Sequence, residues 1–534
     1  GADTAGLVKP EMTAPDMPVE VRAYATAFLY GRQPDQYRSL VSAWLMSEDD
    51  DDRTAGVIAA GESGDTAHVR RLEHLLDTGA DPFLIPLLLN AMSVLGSQNM
   101  SRYTAAYLTH ADETVRQAAL EVTEITDDQT MHQVIPLLAD RSDTIREMAE
   151  EKLKTAPHCN GQLLIEALNL PRKGIREGIF RLLKSLEITE QDTYLFARNR
   201  IERCYCHLAV SRTLNRLPAT PGKALLSEHL EQKIHENIEG LIRILSIRDH
   251  SGKFRIIFRT LFSKDSRQRA NAQELLDRIM TPALLKKLMP LIDGTDPAKA
   301  LARARKKFNL PDFRHDPESV YLYLLEGNCS VSRLLAGHCI IEAGLADRFR
   351  ANMSRFTRSS HPDLAQFARQ AAAETGNEDA MNEEDMNTDL PIPEKILRLK
   401  KIRIFKKLSI NELAAIAAIS RKRTYSPGKV VFTEGEVADT MVLIMDGELS
   451  LQKSAKKAGG KIIRSGESIG EAALLLDEVR LITLVAETHT TLLEINKQEF
   501  TEIVREYPEI GLEIAVAMAA RVQELLEQAV DGTY

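Results

Sequence analysis

Apolar positions recur at intervals of three and four residues along about the first 390 positions of the chain, with polar turns between the recurring segments. Side chains three or four positions apart lie on the same face of an α-helix, so this spacing predicts amphipathic helices. Further along, the pattern changes to short β-branched runs separated by glycines, which is typical of strands and tight turns. The chain is therefore predicted to combine a long helical part with a smaller all-β module that ends in helices.

An internal repeat runs through the helical part. The segments DETVRQAALEVTEI, SDTIREMAEEKLKT and RKGIREGIFRLLKS contain Arg116, Arg146 and Arg176, which are thirty residues apart and each follow an apolar residue. Helix pairs stacked in a solenoid give a fixed period of this kind, and the segments resemble HEAT repeats. We interpret the arginines as structural groups that bind acidic side chains or helix-end carbonyls. Looser copies are predicted at residues 81–96, 265–280 and 361–374.

A break in composition separates the two parts of the chain. The segment TGNEDAMNEEDMNTDLPIP lacks apolar periodicity, is rich in acids and amides, and ends near two prolines, which predicts a linker. The fold class predicted is multidomain α + β, with an N-terminal α-helical HEAT-like solenoid and a C-terminal β-roll with flanking helices. The predicted boundaries are residues 1–374 for the solenoid, 375–393 for the acidic linker and 394–534 for the C-terminal domain.

Charge and cysteine content narrow the functional classes. The 534 residues include 68 Lys and Arg against 77 Asp and Glu, a net charge of −9, which argues against a nucleic-acid partner. The five cysteines are odd in number and scattered, as expected for reduced thiols in a cytoplasmic protein. The segment CYCH at residues 204–207 lacks zinc-site spacing and a second ligand pair, so we interpret it as packed helix and expect no metal.

Targeting and membrane signals are not apparent in the sequence. We expect no signal peptide, and no apolar run reaches the roughly 18 residues of a membrane span. The longest apolar candidate, FLIPLLLNAMSVLG, contains Asn90. Because the chain starts at Gly1 and not at Met, a processed or truncated N-terminus with further sequence upstream is one expectation.

Two charged residues stand out in the mostly apolar run GEAALLLDEVRLITLVAE of the β module. They are Glu471 and Arg480. Burying an unpaired charge costs several kcal/mol, so each of the two requires a partner. One explanation is an internal salt bridge between them, and the other is a ligand that carries both a hydroxyl and an anionic group. The residues alone leave both explanations open.

The surrounding sequence resembles a cyclic nucleotide-binding domain over about 130 residues. SPGKVVFTEGEVADTMVLIMDGELSL resembles the first half of that domain, with Gly428, Gly435 and Gly447 at the turn positions that need a positive φ. GEAALLLDEVRLIT resembles the phosphate-binding cassette of the family, in which an arginine follows the glutamate by nine residues. Glu471 and Arg480 have this spacing.

The resemblance implies a ligand, a cyclic mononucleotide, and a role for each cassette residue. A short helix would begin at the Gly-Glu step and offer its free N–H groups to the cyclic phosphate. Arg480 would bind the phosphate, Glu471 would accept a hydrogen bond from the ribose 2′-hydroxyl, and Leu481 could offer only its amide. The predicted ligand-binding residues are Gly470, Glu471, Ala472, Ala473, Arg480 and Leu481.

Four positions depart from the family pattern. Val479 replaces a proline, Leu481 and Ile482 replace small residues, and Ile469 replaces an aromatic residue. Larger side chains could narrow the pocket, since overpacking costs ~1–3 kcal/mol. The alternative is therefore a degenerate domain in which Glu471 and Arg480 pair with each other, although retention of both residues in an apolar run favours binding. In the family, members that prefer cGMP often have Thr or Ser directly after the arginine, so the resemblance implies that Leu481, which has no hydroxyl, favours cAMP.

The sequence predicts no enzyme and no bound cofactor. It lacks kinase, Walker and G-x-S-x-G motifs, and no helix-turn-helix follows the β module. We predict a bacterial, cytoplasmic regulator in which cAMP binding controls the helical scaffold or an attached partner. An unidentified protein partner is expected on the solenoid. One alternative is a constitutive protein–protein interaction scaffold with a silent pocket.

A further alternative connects the chain to a membrane. RANAQELLD, EKILRLKKIRIFKKLS and the β module together are similar to the soluble region of bacterial carriers resembling ATP/ADP translocases. That similarity implies a covalent link to a membrane domain preceding this sequence, and a location at the cytoplasmic face of the membrane.

Overall fold

The computed structural model describes most of the chain and divides it into two compact units. The units are Gly1–Ile188 and Thr189–Tyr534. The linker predicted at residues 375–393 falls within the second unit; its first fifteen residues and the predicted repeat copy at 361–374 lie outside the described part, so that domain boundary remains a prediction. The described residues are 8–170, 172–186, 189–247, 254–263, 265–356, 390–453, 461–476 and 478–530.

The first unit is built from α-helices in its described residues, as the apolar periodicity predicts. Each odd-numbered helix contacts the next odd-numbered helix, from α1 to α11, while most even-numbered helices pack beside an odd-numbered neighbour. This is the arrangement of stacked helical pairs that the repeat predicts. The helices are α1 Val19–Tyr30, α2 Pro34–Trp44, α3 Asp50–Ser63, α4 Val69–Asp77, α5 Ile85–Val94, α6 Met100–Tyr107, α7 Glu113–Val122, α8 Asp128–Val134, α9 Asp143–Thr155, α10 Gly161–Ala167 and α11 Lys173–Leu183.

The repeated arginines make structural contacts, but the contact they share is to the turn before their own helix and not to the next repeat. Arg116, Arg146 and Arg176 each donate from Nη1 to the carbonyl oxygen six residues earlier, over 2.9, 2.7 and 3.0 Å. These carbonyls lie in the turn just before the helix that carries the arginine, so each bond ties a helix to the turn that leads into it. The same six-residue contact is made by Arg53, Arg269 and Arg333.

The second unit begins with a further set of helices. A buried cluster contributed by α12 to α17 includes Ile201, Tyr205, Leu241, Leu276 and Leu288. The helices are α12 Glu190–Leu214, α13 Pro221–Leu245, α14 Phe254–Leu261, α15 Ser266–Ile279, α16 Pro282–Leu288, α17 Pro297–Ala304, α18 Ser319–Glu326, α19 Ser330–Glu342 and α20 Ala346–Met353.

The C-terminal module combines two four-stranded antiparallel sheets with four helices. One sheet has the order β1-β8-β3-β6 and the other β2-β7-β4-β5. The turn glycines Gly428, Gly435 and Gly447 have φ values of 81°, 89° and 95°, as predicted. The elements are α21 Ile392–Leu399, α22 Ile410–Ile419, β1 Arg421–Tyr425, β2 Val430–Phe432, β3 Thr440–Asp446, β4 Glu448–Gln452, β5 Ile462–Arg464, β6 Ser468–Ile469, β7 Thr483–Ala486, β8 Thr490–Asn496, α23 Lys497–Glu506 and α24 Pro508–Val530.

Strand β3 is buried on both faces and joins two cores. Val442 and Ile444 point into the interior of the β-roll, where Phe432 and Leu492 also lie. The alternate side chains, such as Leu443, belong to a second cluster shared with the helices of the same unit. Successive side chains of a strand point to opposite faces, so an uninterrupted apolar strand is expected wherever both faces are covered.

The structure locates the CYCH segment and allows a search for metal-binding clusters and membrane-spanning helices. The CYCH segment lies within α12, and burial raises the pKa of the Cys204 thiol to about 12 and lowers the pKa of His207 to about 4. Among the described residues, no three potential metal ligands lie close enough together to hold an ion. Within the same part of the chain, no helix has the length and apolarity needed to cross a bilayer.

Candidate functional site

The candidate site centres on the turn that follows β6. Gly470 has a φ of 89° and caps the N-terminus of a 3₁₀ turn at Glu471–Leu474, which confirms that a short helix begins at the Gly-Glu step. A Cβ atom at position 470 would lie 2.9 Å from Arg480 Nη1 and 2.9 Å from the carbonyl oxygen of Thr440. Glycine is therefore required here both by the left-handed backbone and by the closeness of the arginine.

The backbone of Arg480 is fixed by the loop between β2 and β3. Arg480 N donates to the carbonyl oxygen of Glu436 over 2.8 Å, and the amide of Gly435 donates to the carbonyl oxygen of Arg480 over 2.8 Å. Ala438 N continues this ladder to the carbonyl oxygen of Glu478 over 2.9 Å. This pairing turns the arginine side chain inward, and the residue is only 6% exposed.

The guanidinium of Arg480 is a buried cation whose described hydrogen bonds leave donors unused. Its Nη2 donates to the carbonyl oxygen and to Oγ1 of Thr440 over 2.6 and 2.7 Å, and its Cζ lies 4.1 Å from the ring centroid of Phe432. Its Nε has no hydrogen-bond partner among the described residues. Burial lowers the pKa of Arg480, against the charges of Asp439 and Glu436, but a guanidinium stays protonated in proteins. Such a group is suited to binding an anion.

Glu471 and Arg480 do not form the internal salt bridge that the sequence left open, and each side chain has other partners among the described residues. Oε1 of Glu471 accepts a hydrogen bond from Oγ of Ser468 over 2.6 Å, while the acceptors of the Arg480 side chain are both on Thr440. Among the ion pairs of the described residues, none joins Glu471 to Arg480. The two charged residues therefore have separate positions beside the same turn.

The remaining predicted residues differ in what they can offer. Ala473 is buried, and its amide already donates to the carbonyl oxygen of Gly470 over 3.0 Å, while Ala472 is half-buried. Leu481 is 70% exposed, so its side chain is largely in solvent. Ile469 and Ile482 pack against the interior of the β-roll.

Sequence reasoning missed the two residues that hold the guanidinium. Thr440 and Phe432 lie 40 and 48 positions before Arg480 and meet it only through the sheet pairing. No local pattern distinguishes Thr440 from other residues that begin a strand. The available signal was Phe432, an aromatic residue directly before the glycine-containing turn of Gly435.

The fold and the site define a cyclic nucleotide-binding domain. The profile of the family described as "Cyclic nucleotide-binding domain" matches residues 422–507, which include the whole turn and Arg480. This confirms the part of the resemblance that concerns the C-terminal module. The HEAT-like assignment of the helices and the similarity to membrane carriers remain predictions.

Known proteins are similar to this chain over the same region. "Lysophospholipase nte1" of Neurospora crassa is 31% identical over 103 residues, which are 19% of this chain and 7% of the relative. "Cyclic AMP receptor protein" of Thermus thermophilus is 25% identical over 131 residues, 24% of this chain and 60% of the relative. The crystal structure of the catabolite activator protein from the same organism aligns at 25% identity with a TM-score of 0.22, covering 24% of this chain and 63% of the other. The chain thus spans only a small part of the lysophospholipase, and under two thirds of the receptor protein.

Proposed function

We propose that the C-terminal module binds a cyclic mononucleotide through the turn at Gly470 and the guanidinium of Arg480. The observation that carries this proposal is the buried guanidinium, whose Nε–H has no acceptor among the described residues and which lies against a glycine turn. An anionic phosphate beside the turn would supply that acceptor and neutralise the buried charge. Glu471, on the same turn, would accept a hydrogen bond from a ribose hydroxyl.

The proposed ligand is cAMP. The site offers no hydroxyl directly after the arginine, because Leu481 occupies that position and its side chain is exposed. A guanine base would therefore lack a hydrogen-bonding partner that an adenine base does not need. A "cAMP-dependent protein kinase regulatory subunit" of Yarrowia lipolytica, 29% identical over 106 residues and covered over 28% of its length, supports a nucleotide ligand of this class.

The proposed role of the whole chain is regulatory and non-enzymatic. The module would sense the nucleotide, and the helices that share its core would respond. Support comes from the cluster that joins β3 and Leu474 of the cassette turn to helices α12, α13, α18 and α19, since a ligand bound at the turn would lie beside that core. The lysophospholipase matches this chain only in the module, so its name carries no argument for catalysis by the remaining residues.

Isothermal titration calorimetry of the purified chain with cAMP, cGMP and AMP tests the proposal. We expect cAMP to bind with a dissociation constant near the micromolar range, about −8 kcal/mol, and to raise the melting temperature by mass action. AMP has the same base and ribose but an open phosphate, so it should bind more weakly. Absence of heat and of a melting shift with millimolar cAMP or cGMP would favour the constitutive scaffold instead.

A further inference from the structure

Helix α13 presents a stripe of polar side chains to the N-terminal helices of the nucleotide-binding module. Glu228, Gln232 and Glu236 are spaced by four residues, so they lie on one face of the helix. Each of the three contacts the module by a different bond. We call these three residues the α13 stripe.

The central contact of the α13 stripe caps a helix of the module. The first N–H groups of a helix have no partner within the helix and need an acceptor from elsewhere. In α22, the side chains of Ser409 and Glu412 form a capping box, which satisfies the amides of those two residues. The amide of Ile410 instead donates to Oε1 of Gln232 over 2.8 Å, and the Ile410 side chain is fully buried.

The outer contacts of the stripe are charged or polar and partly exposed. Glu228 forms an ion pair with Lys400, which lies directly after α21. Glu236 accepts a hydrogen bond from Nδ2 of Asn411 over 3.1 Å. The stripe therefore contacts the C-terminal end of α21 and the N-terminal end of α22. The same helices also share an apolar core with α13.

The cassette turn reaches the same helices from the other side. Leu474, the last residue of the turn, is buried in one cluster with Leu413 of α22 and Leu226 of α13. Helix α23 contacts both the turn and α22, and Nζ of its first residue, Lys497, donates to the carbonyl oxygen of Leu476 over 2.8 Å. Helix α22 thus lies between the nucleotide-binding turn and the α13 stripe.

We propose that the α13 stripe is the surface through which the helices of residues 189–356 read nucleotide binding. A ligand on the turn acts on α22 through Leu474 and α23, and α22 transmits the change to α13 through the capped amide of Ile410. This inference rests on the proposed function, because it requires a nucleotide at the Arg480 site. By thermodynamic linkage, if nucleotide binding changes the strength of the contact between the stripe and α22, removing that contact changes nucleotide affinity by the same coupling factor.

Three variants of α13 test the coupling without altering the nucleotide site. Gln232→Leu keeps the volume of the side chain but removes the acceptor for Ile410. Gln232→Glu retains an acceptor and adds a charge that suits a helix N-terminus. Glu231→Ala is the matched control, because Glu231 is on the same helix but exposed to solvent. We expect Gln232→Leu to change the dissociation constant for cAMP about fivefold or more, and the other two variants to stay within about twofold of wild type.

Hydrogen exchange measured on the wild-type protein is a second test. Because it uses no substitution, its result does not depend on how a variant folds. Saturating cAMP should slow exchange at least about threefold in α22 and in the part of α13 around Leu226, relative to α15, whose buried residues lie outside the cluster that contains Leu474. If cAMP binds wild type but neither exchange in α13 nor the affinity of Gln232→Leu changes, the stripe does not transmit the signal and only this inference fails. If no cyclic nucleotide binds wild type, the proposed function fails and the inference falls with it.

Discussion

At the scale of single residues, the unusual group is the guanidinium of Arg480. It is 6% exposed, it is charged, and its described hydrogen bonds use Nη2 alone, both to Thr440. The electron-rich face of Phe432 stabilises a cation at 4.1 Å but cannot replace a counter-ion. A buried charge whose hydrogen bonds all go to neutral groups is costly, and the anionic ligand proposed above would offset that cost.

Arg480→Ala should abolish most of the nucleotide affinity. Loss of a charge-assisted bond to a buried phosphate costs about 2–4 kcal/mol, or roughly 30- to 1000-fold in the dissociation constant. Arg480→Lys should lose much of the same affinity, because an ammonium cannot reproduce the planar fork of the guanidinium. Glu471→Gln should cost less, because it weakens one hydroxyl contact and keeps the volume.

Calorimetric titration with cAMP checks these three variants, and Arg464→Ala serves as the charge-matched control. Arg464 lies in the same module but pairs with Glu448 on the surface, where its side chain is 62% exposed. Its loss should leave the affinity unchanged. Unaltered cAMP binding by Arg480→Ala would remove this residue from the site and reject the cassette assignment.

Gly470→Ala should damage the site through sterics. The added Cβ atom would meet Arg480 Nη1 at 2.9 Å, in addition to the strain of a φ of 89°. Gly466→Ala is a matched control, since Gly466 has a φ of 91° but no atom within 4 Å of its added Cβ. Strain alone costs about 1–3 kcal/mol in each. We expect Gly470→Ala to lower the melting temperature further and to weaken cAMP binding, and equal behaviour of the two variants would contradict this.

At the scale of elements, the repeat in the first unit is held together by arginines whose surroundings differ. Arg116 donates two parallel hydrogen bonds to Asp140, over 2.8 and 2.9 Å, and both side chains are under 10% exposed. Arg146, thirty residues later, is 31% exposed and pairs with Asp143 at the surface. The equivalent arginine therefore forms a buried ion pair in one repeat and a surface ion pair in the next.

Arg116→Met should destabilise the first unit far more than Arg146→Met. Removing one partner of a buried ion pair leaves an uncompensated charge, which costs about 3–5 kcal/mol, whereas a surface pair contributes about 0–1 kcal/mol. Chemical denaturation of both variants measures the difference. Similar free energies of unfolding for the two would show that the Arg116–Asp140 pair adds nothing beyond the backbone contact that both arginines make.

The same pair should make this difference depend on pH. Burial acts to raise the pKa of Asp140, but hydrogen bonds from Arg116 and from the amide of Ser142 lower it below its usual 3.8. The folded state therefore binds a proton at lower pH than the unfolded state, so the stabilisation is present above pH 3.8 and is lost as pH falls through the lowered pKa. Unfolding measured from pH 7 into this acidic range should show Arg116→Met approaching wild type.

At the scale of the whole molecule, one buried cluster joins the nucleotide-binding module to helices far earlier in the chain. It includes Leu226 of α13, Leu335 of α19, Phe405 before α22 and Leu443 of β3. The second compact unit accordingly extends from Thr189 to Tyr534. A ligand that acts on the module can therefore reach helices that precede it by more than a hundred residues in sequence.

Limited proteolysis should cut the chain in the predicted linker without separating the two fragments. The first cut is expected within residues 375–389, because this segment is polar and its sequence has no apolar pattern with which to form a core. The two fragments should nevertheless co-elute in gel filtration, since α13 and α19 share a core with the module. A first cut inside α13 or β3, or fragments that separate without denaturant, would contradict the shared core.

Much of the fold could be predicted from local sequence, because its signals are local. The i, i+3, i+4 spacing predicts the helices, the thirty-residue period predicts the stacked pairs of α7, α9 and α11, and the glycines predict turns with positive φ. The spacing of Glu471 and Arg480 predicts the cassette. In each case the determining interaction joins residues that are a few positions apart, or repeats a pattern visible along the chain.

Only the tertiary structure decided what surrounds Arg480 and what the module packs against. Thr440 and Phe432 reach the guanidinium because the strands and loops of the roll pair across 40 or more positions, and Gln232 reaches Ile410 across 178. The sequence also left open whether Glu471 forms a salt bridge with Arg480. The tertiary structure decided this, because backbone pairing with the loop of Gly435 sets the direction of the arginine side chain. Such contacts depend on which surfaces meet in the folded chain, and a side chain's identity alone does not specify its distant partner.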